Sequence, residues 1–199
     1  MSKNSIKINT QEDILYNNIL SLSRNKLFFT KFGLADTFQN RIYLIFIHIS
    51  FLFIKIKQNN QKEIYKIFYQ KMFDLIFKNI ELNMREIGYG DIVTNKNMKF
   101  LVKTFYNILL NCENLNWRSL NLKKMFFFKY LEHNNMKKKA DNVPLIEYFD
   151  KYQAFCFDLR SDSVLRGELN FYYLYLFSYN FHNLTKYCKK FLLKTSYFC

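Results

Sequence analysis

The sequence predicts an all-α fold, a compact single helical domain of six or more helices with a basic amphipathic helix at its C-terminal end. Three observations predict it. The 199-residue chain holds only four glycines and one proline, which leaves little room for the many tight turns of an all-β fold. Its apolar residues recur at three- and four-residue spacing over long stretches, the period of a helix face. The run from Ile42 to Ile54 is apolar at almost every position, which marks a helix with neighbours on several faces. Half of the residues are apolar and one fifth aromatic, enough for a real core at this length and too many for disorder over most of the chain.

Taken in order, Thr10 starts the first helix, with Asp13 three residues on in a capping-box arrangement. Ile14, Leu15, Ile19, Leu22 and Leu27 follow helical spacing, and Gly33 ends the segment. Asp36 is placed to cap the second helix, with Gln39 at the reciprocal position. That helix contains the Ile42–Ile54 run, which at 13 residues is too short to span a bilayer and reads as a core helix. His48 inside it is expected as a hydrogen-bonded core residue. A polar linker, Lys57 to Gln61, precedes a third helix from about Gln61 to Ile87 carrying Ile64, Ile67, Phe68, Leu75 and Ile76. The fourth, from about Thr94 to Asn111, places Met98, Leu101, Val102, Phe105 and Leu109 on one stripe. The fifth, from about Leu115 to Asn134, holds Trp117, Leu120, Leu122 and Phe126 to Phe128. Lys137 to Lys139 form a charged connector. Pro144 suits the first turn of a sixth helix ending near Leu159, and a short turn from Ser161 stops at Gly167.

No acidic residue follows Glu168. In the tail, Leu184, Tyr187, Cys188, Phe191 and Leu192 form one stripe, with Lys186, Lys189, Lys190 and Lys194 on the other side. Such a helix either lies on a membrane surface or docks on the domain with its lysines outward. The chain thus divides into an N-terminal helix (1–31), a helical domain (32–171) and a basic aromatic tail (172–199).

The net charge of +14 has two readings. It directs the chain toward polyanions such as RNA, a ribosome or an anionic membrane, or it is a lysine-rich surface inflated by an AT-rich genome. Cys112, Cys156, Cys188 and Cys199 form no Cys-x-x-Cys pair and have no histidine at zinc-site spacing. They read as reduced thiols, and no metal or cofactor is implied. Met1 to Asn18 lacks an apolar signal core, and Glu12 and Asp13 do not suit an Arg-rich transit peptide. No phosphate-binding glycine loop, His-Glu-x-x-His or nucleophile elbow occurs, so the chain is not read as an enzyme. No RNA-recognition motif occurs either.

Two of the four glycines, Gly88 and Gly90, fall in one short stretch, Leu82 to Asp91. Gly88 is placed to end the third helix in the left-handed region that favours glycine, and Asp91 or Thr94 to cap the next helix. The stretch is a tight corner between two helices that carries Arg85, Glu86, Tyr89 and Asp91. Those charges either satisfy helix-end backbone groups or face a partner.

Met84-Arg85-Glu86-Ile87-Gly88-Tyr89-Gly90-Asp91 resembles the Leu-Arg-Glu-Met-Gly-Val-Gly-Asp signature of the ubiquinol–cytochrome c chaperones. These are assembly factors of the cytochrome bc1 complex in mitochondria and alphaproteobacteria. Other motifs agree in order. Ala35-Asp36-Thr37-Phe38-Gln39-Asn40-Arg41 resembles the family's Pro-Asp-Thr…Arg-Phe opening, and Gln70-Lys71-Met72-Phe73-Asp74 its Gln-x-Leu-Phe-Asp. Lys96-x-Met98, Phe105-Tyr106 and Leu165-x-Gly167-x-Leu169-x-Phe171 resemble the later motifs. Asn107-Ile108 stands where the family has Gly-Arg after Phe-Tyr.

An all-helical, aromatic-rich, basic domain without a catalytic set suits a protein-binding role, with an apolar segment taken into a groove between helices. The resemblance implies a non-enzymatic assembly chaperone that binds newly made cytochrome b. By analogy, Arg41, Arg85, Glu86, Gly88, Gly90, Asp91 and Lys96 are candidates for partner binding. It also implies a second small assembly factor and the ribosome as further partners. The implied location is the cytoplasmic face of an alphaproteobacterial inner membrane or the matrix side of the mitochondrial one, peripheral and without a transmembrane span. The alternative reading from charge and aromatic content is a basic RNA-binding or ribosome-associated protein.

Overall fold

The structure, a computed structural model, describes residues 10–58, 62–114, 119–134 and 143–172. It is all-α, as the sequence predicts. The order is α1 (Gln11–Ser23), α2 (Leu27–Thr30), α3 (Phe38–Lys57), α4 (Lys62–Glu86), α5 (Asp91–Asn114), α6 (Leu120–Tyr130), α7 (Val143–Asp158) and α8 (Ser161–Leu165). Among the described residues there is no strand, only an isolated antiparallel bridge between Leu34 and His133. Trp117, the Lys137–Lys139 connector and the tail with Lys186, Lys189, Lys190 and Lys194 lie outside the described residues.

The first turn of α1 carries the expected capping box. The Asp13 N–H donates to Thr10 Oγ1 at 3.1 Å, and the Thr10 N–H donates to the Asp13 carboxylate at 3.0 Å. The helix stops at Ser23, before the last residue of the predicted stripe; Leu27 instead opens the separate turn α2. Gly33 follows at φ 74°. The cap of α3 differs from expectation. Thr37 is the N-cap, accepting the Asn40 N–H at 3.2 Å. Asp36 pairs with Arg41 at 2.6 and 2.9 Å, and Gln39 donates to the Tyr43 hydroxyl. Both Asp and Thr cap helices well, and here the Arg41 guanidinium claims the carboxylate.

α3 is the centre. Every side chain from Ile42 to Ile54 is buried, and α3 packs against α1, α4, α5, α7 and α8. At 20 residues it is longer than its apolar run, and by length and composition alone it could cross a membrane. Its apolar surface is instead covered by the other helices.

The buried face of α4 follows Tyr65, Phe68, Met72, Ile76, Ile80 and Met84, a regular i, i+3/i+4 series, with Phe77 beside it. This corrects the predicted stripe: Ile64 and Ile67 are exposed. On α5, Leu101, Phe105, Ile108 and Cys112 are buried. Phe46 of α3, Phe77 of α4 and Phe105 of α5 pack edge to face or tilted, with centroids 5.2 to 5.8 Å apart. α6 buries Phe126 and Phe127 but not Leu120, Leu122 or Phe128. α8 ends at Gly167 (φ 77°), where a Cβ would stand 2.8 Å from the Gln11 carbonyl oxygen. Only glycine fits that backbone and that approach to α1.

His48 is fully buried. Nδ1 lies 2.6 Å from the Leu44 carbonyl oxygen, and Nε2 lies 2.7 Å from the Tyr148 hydroxyl. A carbonyl only accepts, so Nδ1 carries the proton and the Tyr148 hydroxyl donates to Nε2. Tyr152 donates to the His48 carbonyl at 3.4 Å, and the Phe149 and Tyr152 rings enclose the imidazole with centroids at 5.1 and 4.7 Å. The bland core role expected for His48 is the one it has.

Burial pushes the His48 pKa down from 6.5 to about 4. A depressed folded-state value contributes stability that is present above the unfolded pKa and lost as pH falls toward the folded one. The expected loss between pH 6.5 and 4 is about 3 kcal/mol. Denaturant melts of wild type and His48→Leu across this interval measure it as the part of the slope that disappears in the variant. Tyr148→Phe leaves Nε2 unpaired and should cost about 1–3 kcal/mol at neutral pH.

Candidate functional site

The corner between α4 and α5 is built from local hydrogen bonds. The Tyr89 N–H donates to the Met84 carbonyl and the Gly88 N–H to the Arg85 carbonyl, both at 3.0 Å. These are the two bonds of a Schellman motif, and Gly88 occupies its left-handed position at φ 96°. The start of α5 differs from expectation. The Gly90 carbonyl accepts the first helical bond, from the Thr94 N–H at 2.9 Å, so Gly90 holds the N-cap place and Asp91 is the first helical residue. Thr94 is buried in the first turn, with its hydroxyl turned back to the Tyr89 carbonyl at 3.4 Å.

Arg85 ties the corner together. Its guanidinium donates to Glu81, one turn back, at 3.1 and 2.9 Å, and to Asp91 across the turn. Bonds to Asp91 first, then to Glu81, raise the Arg85 pKa still further. Arg85 and Asp91 therefore belong to one internal ion-pair network, and neither is simply a charge held out to a partner. Glu86, next in sequence to Arg85, is exposed.

Every residue from Arg85 to Val93 is exposed, and the stretch is anchored at both ends by buried Met84 and Thr94. Four of these residues are apolar or aromatic: Ile87 (58 % exposed), Tyr89, Ile92 (86 %) and Val93. Leu82, one turn before the corner, is exposed too. Sequence reasoning singled out the charges and glycines of the corner and missed these side chains. The available signal was the apolar residues Ile87, Ile92 and Val93 on either side of Gly88-Tyr89-Gly90, which do not fall on the buried stripe of either helix.

The structure brings Arg85, Glu86, Gly88, Gly90 and Asp91 together. Lys96 is exposed in the second turn of α5. Arg41 is engaged elsewhere, on Asp36 and over the Phe29 ring at 5.1 Å from its centroid, and that pairing lowers the Asp36 pKa. Cys112 and Cys156 are buried thiols whose pKa burial raises. No group of three metal-ligating side chains occurs among the described residues.

Residues 30–114 match the family model described as Ubiquinol-cytochrome C chaperone, which bears out the resemblance read from the motifs. The matched stretch runs from the end of α2 through α5 and contains the corner. The crystal structure of the Cbp3 homolog from Brucella abortus shares the fold, with a TM-score of 0.66 at 19 % identity, over 81 % of this chain and 88 % of that one. No curated protein matches the chain in sequence.

The two corner glycines should behave differently. Gly88→Ala forces a Cβ into positive φ and should cost about 1 kcal/mol. Gly90 is not at positive φ, and a Cβ there meets open space. Gly90→Ser supplies a preferred N-cap side chain, so thermal melts should show it at or slightly above wild-type stability.

Proposed function

We propose that this chain, whose residues 30–114 carry the pattern of the ubiquinol-cytochrome C chaperones, is a non-enzymatic assembly chaperone of the cytochrome bc1 complex that captures newly made cytochrome b at the α4–α5 corner. One observation carries the reading: an exposed apolar tip held rigid by a Schellman turn, an ion-pair network and two buried anchors. Exposed apolar side chains on an ordered support mark protein-binding sites, and cytochrome b, as a membrane protein, is rich in apolar segments that need cover before assembly. Ile87, Tyr89, Ile92 and Val93 supply the apolar contact, while Glu86 and Lys96 stand at its edge as polar contacts that fix register. Arg85 and Asp91 hold the shape of the tip, with Gly88 letting the backbone turn at positive φ and Gly90 opening α5. In this reading the protein works at the cytoplasmic or matrix face of the membrane, beside the ribosome and a second small factor, and the net charge of +14 favours those anionic surroundings.

Ile92→Asp tests the reading, because a side chain so exposed contributes little to the fold. The helical circular-dichroism signal should be unchanged, while cytochrome b recovered with the tagged protein, and haem-loaded cytochrome b in cells, should fall. Arg85→Ala removes only exposed ion pairs, which are weak. It should also stay folded and lose capture more mildly, by loosening the tip. A folded Ile92→Asp protein with normal cytochrome b capture would remove the corner from the site. RNA recovered in place of cytochrome b would favour the basic RNA-binding alternative.

A further inference from the structure

We propose that a second site, at the opposite end of α4 from the corner, binds a single-chain anionic amphiphile: an acyl chain ending in a carboxylate or a phosphate. It is independent of the corner and of the reading given to it. Two adjoining cavities lie there, between the C-terminal ends of α3 and α5, the start of α4 and the end of α7. The larger, about 500 Å³, is walled by Phe53, Ile56, Phe68, Tyr69 and Leu109. That volume lies within the range of about 300–1,000 Å³ usual for small-molecule sites, which are likewise mostly apolar with few polar groups. The Phe53 and Tyr69 rings, with centroids 4.3 Å apart, make one wall stiff. The smaller cavity, about 360 Å³, is bordered by Gln58, Gln153, Phe157 and Cys112.

Ile54, Lys57 and Glu113 line both cavities. The environment therefore changes from apolar to polar across the Lys57–Glu113 ion pair, 2.6 Å long and with Lys57 largely exposed. A molecule filling both chambers needs an apolar length and a polar end. The sign of that end follows from the lining. Lys57 and Lys66 border the larger chamber, and among the described residues Glu113 is the one carboxylate in either lining. Phe157, which borders the smaller chamber, is held at its carbonyl by the Lys55 ammonium at 2.5 Å. An exposed pair such as Lys57–Glu113 is held weakly, so an anionic head can take Lys57 from Glu113 while its chain lies against Phe68 and Leu109. Cationic or purely apolar ligands gain nothing from these lysines.

Titration of the purified full-length chain with dansylundecanoic acid tests this by fluorescence. Binding should saturate at one equivalent. Palmitate or palmitoyl lysophosphatidate should displace the probe, and whichever competes at lower concentration identifies the head group. Hexadecyltrimethylammonium, with the same chain and the opposite charge, should not displace it. Leu109→Trp fills the larger chamber and should weaken binding at least about tenfold, and the exposed Lys66→Glu should weaken it about threefold or more. If Leu109→Trp fails the circular-dichroism check for folding, Lys66→Glu decides the matter. Non-saturable binding, equal displacement by the cationic amphiphile, or wild-type affinity in folded variants would overturn the proposal.

Discussion

Covering α3 is the constraint from which the rest of the structure follows. A helix apolar on every side from Ile42 to Ile54 cannot face water without a large hydrophobic cost. One or two neighbours cover only part of its circumference, so α1, α4, α5, α7 and α8 all pack on it. The aromatic side chains do much of this work, because each ring covers a large area and many meet their neighbours edge to face.

Two polar residues inside that helix determine how its neighbours dock. Ser50 satisfies itself, donating to the Phe46 carbonyl at 2.7 Å. His48 satisfies one nitrogen within α3, at Leu44, and needs an outside donor for the other. Tyr148 is that donor, and it sits one turn from Tyr152, which reaches the His48 carbonyl. Apolar packing tolerates sliding, whereas these bonds hold α7 in one register against α3. The imidazole stays neutral because the pocket that sets this register also excludes water.

The corner and the amphiphile site occupy opposite ends of α4 and present different surfaces. At the corner, α4 and α5 are stitched by backbone bonds and the Arg85 network, leaving a convex apolar tip. At the other end, α3, α4, α5 and α7 leave a concavity with lysines at its edge. An ordered apolar tip suits contact with another protein's apolar segment, and a partly open cleft of this size suits a small molecule.

By itself the sequence determined the features that depend on neighbours a few residues away. The helical period, the Thr10–Asp13 capping box and the left-handed Gly88 all rest on contacts within about one or two helical turns. The apolar circumference of α3 and the family motifs were likewise present in the order of residues. Only the tertiary structure decided which of several locally equivalent choices prevailed. Asp36 and Thr37 were both good caps, and the placement of Arg41 drew Asp36 away. Ile64 and Phe68, one turn apart, lie close together on α4, and packing buries the second while the first stays exposed. The donor for His48 stands 100 residues away in sequence, and among the described residues no other helix extends over Ile87, Tyr89, Ile92 and Val93, which leaves the apolar tip exposed. Burial and partner choice are set by what packs across the gap, and the spacing of residues along one helix carries no information about the helix that will face it.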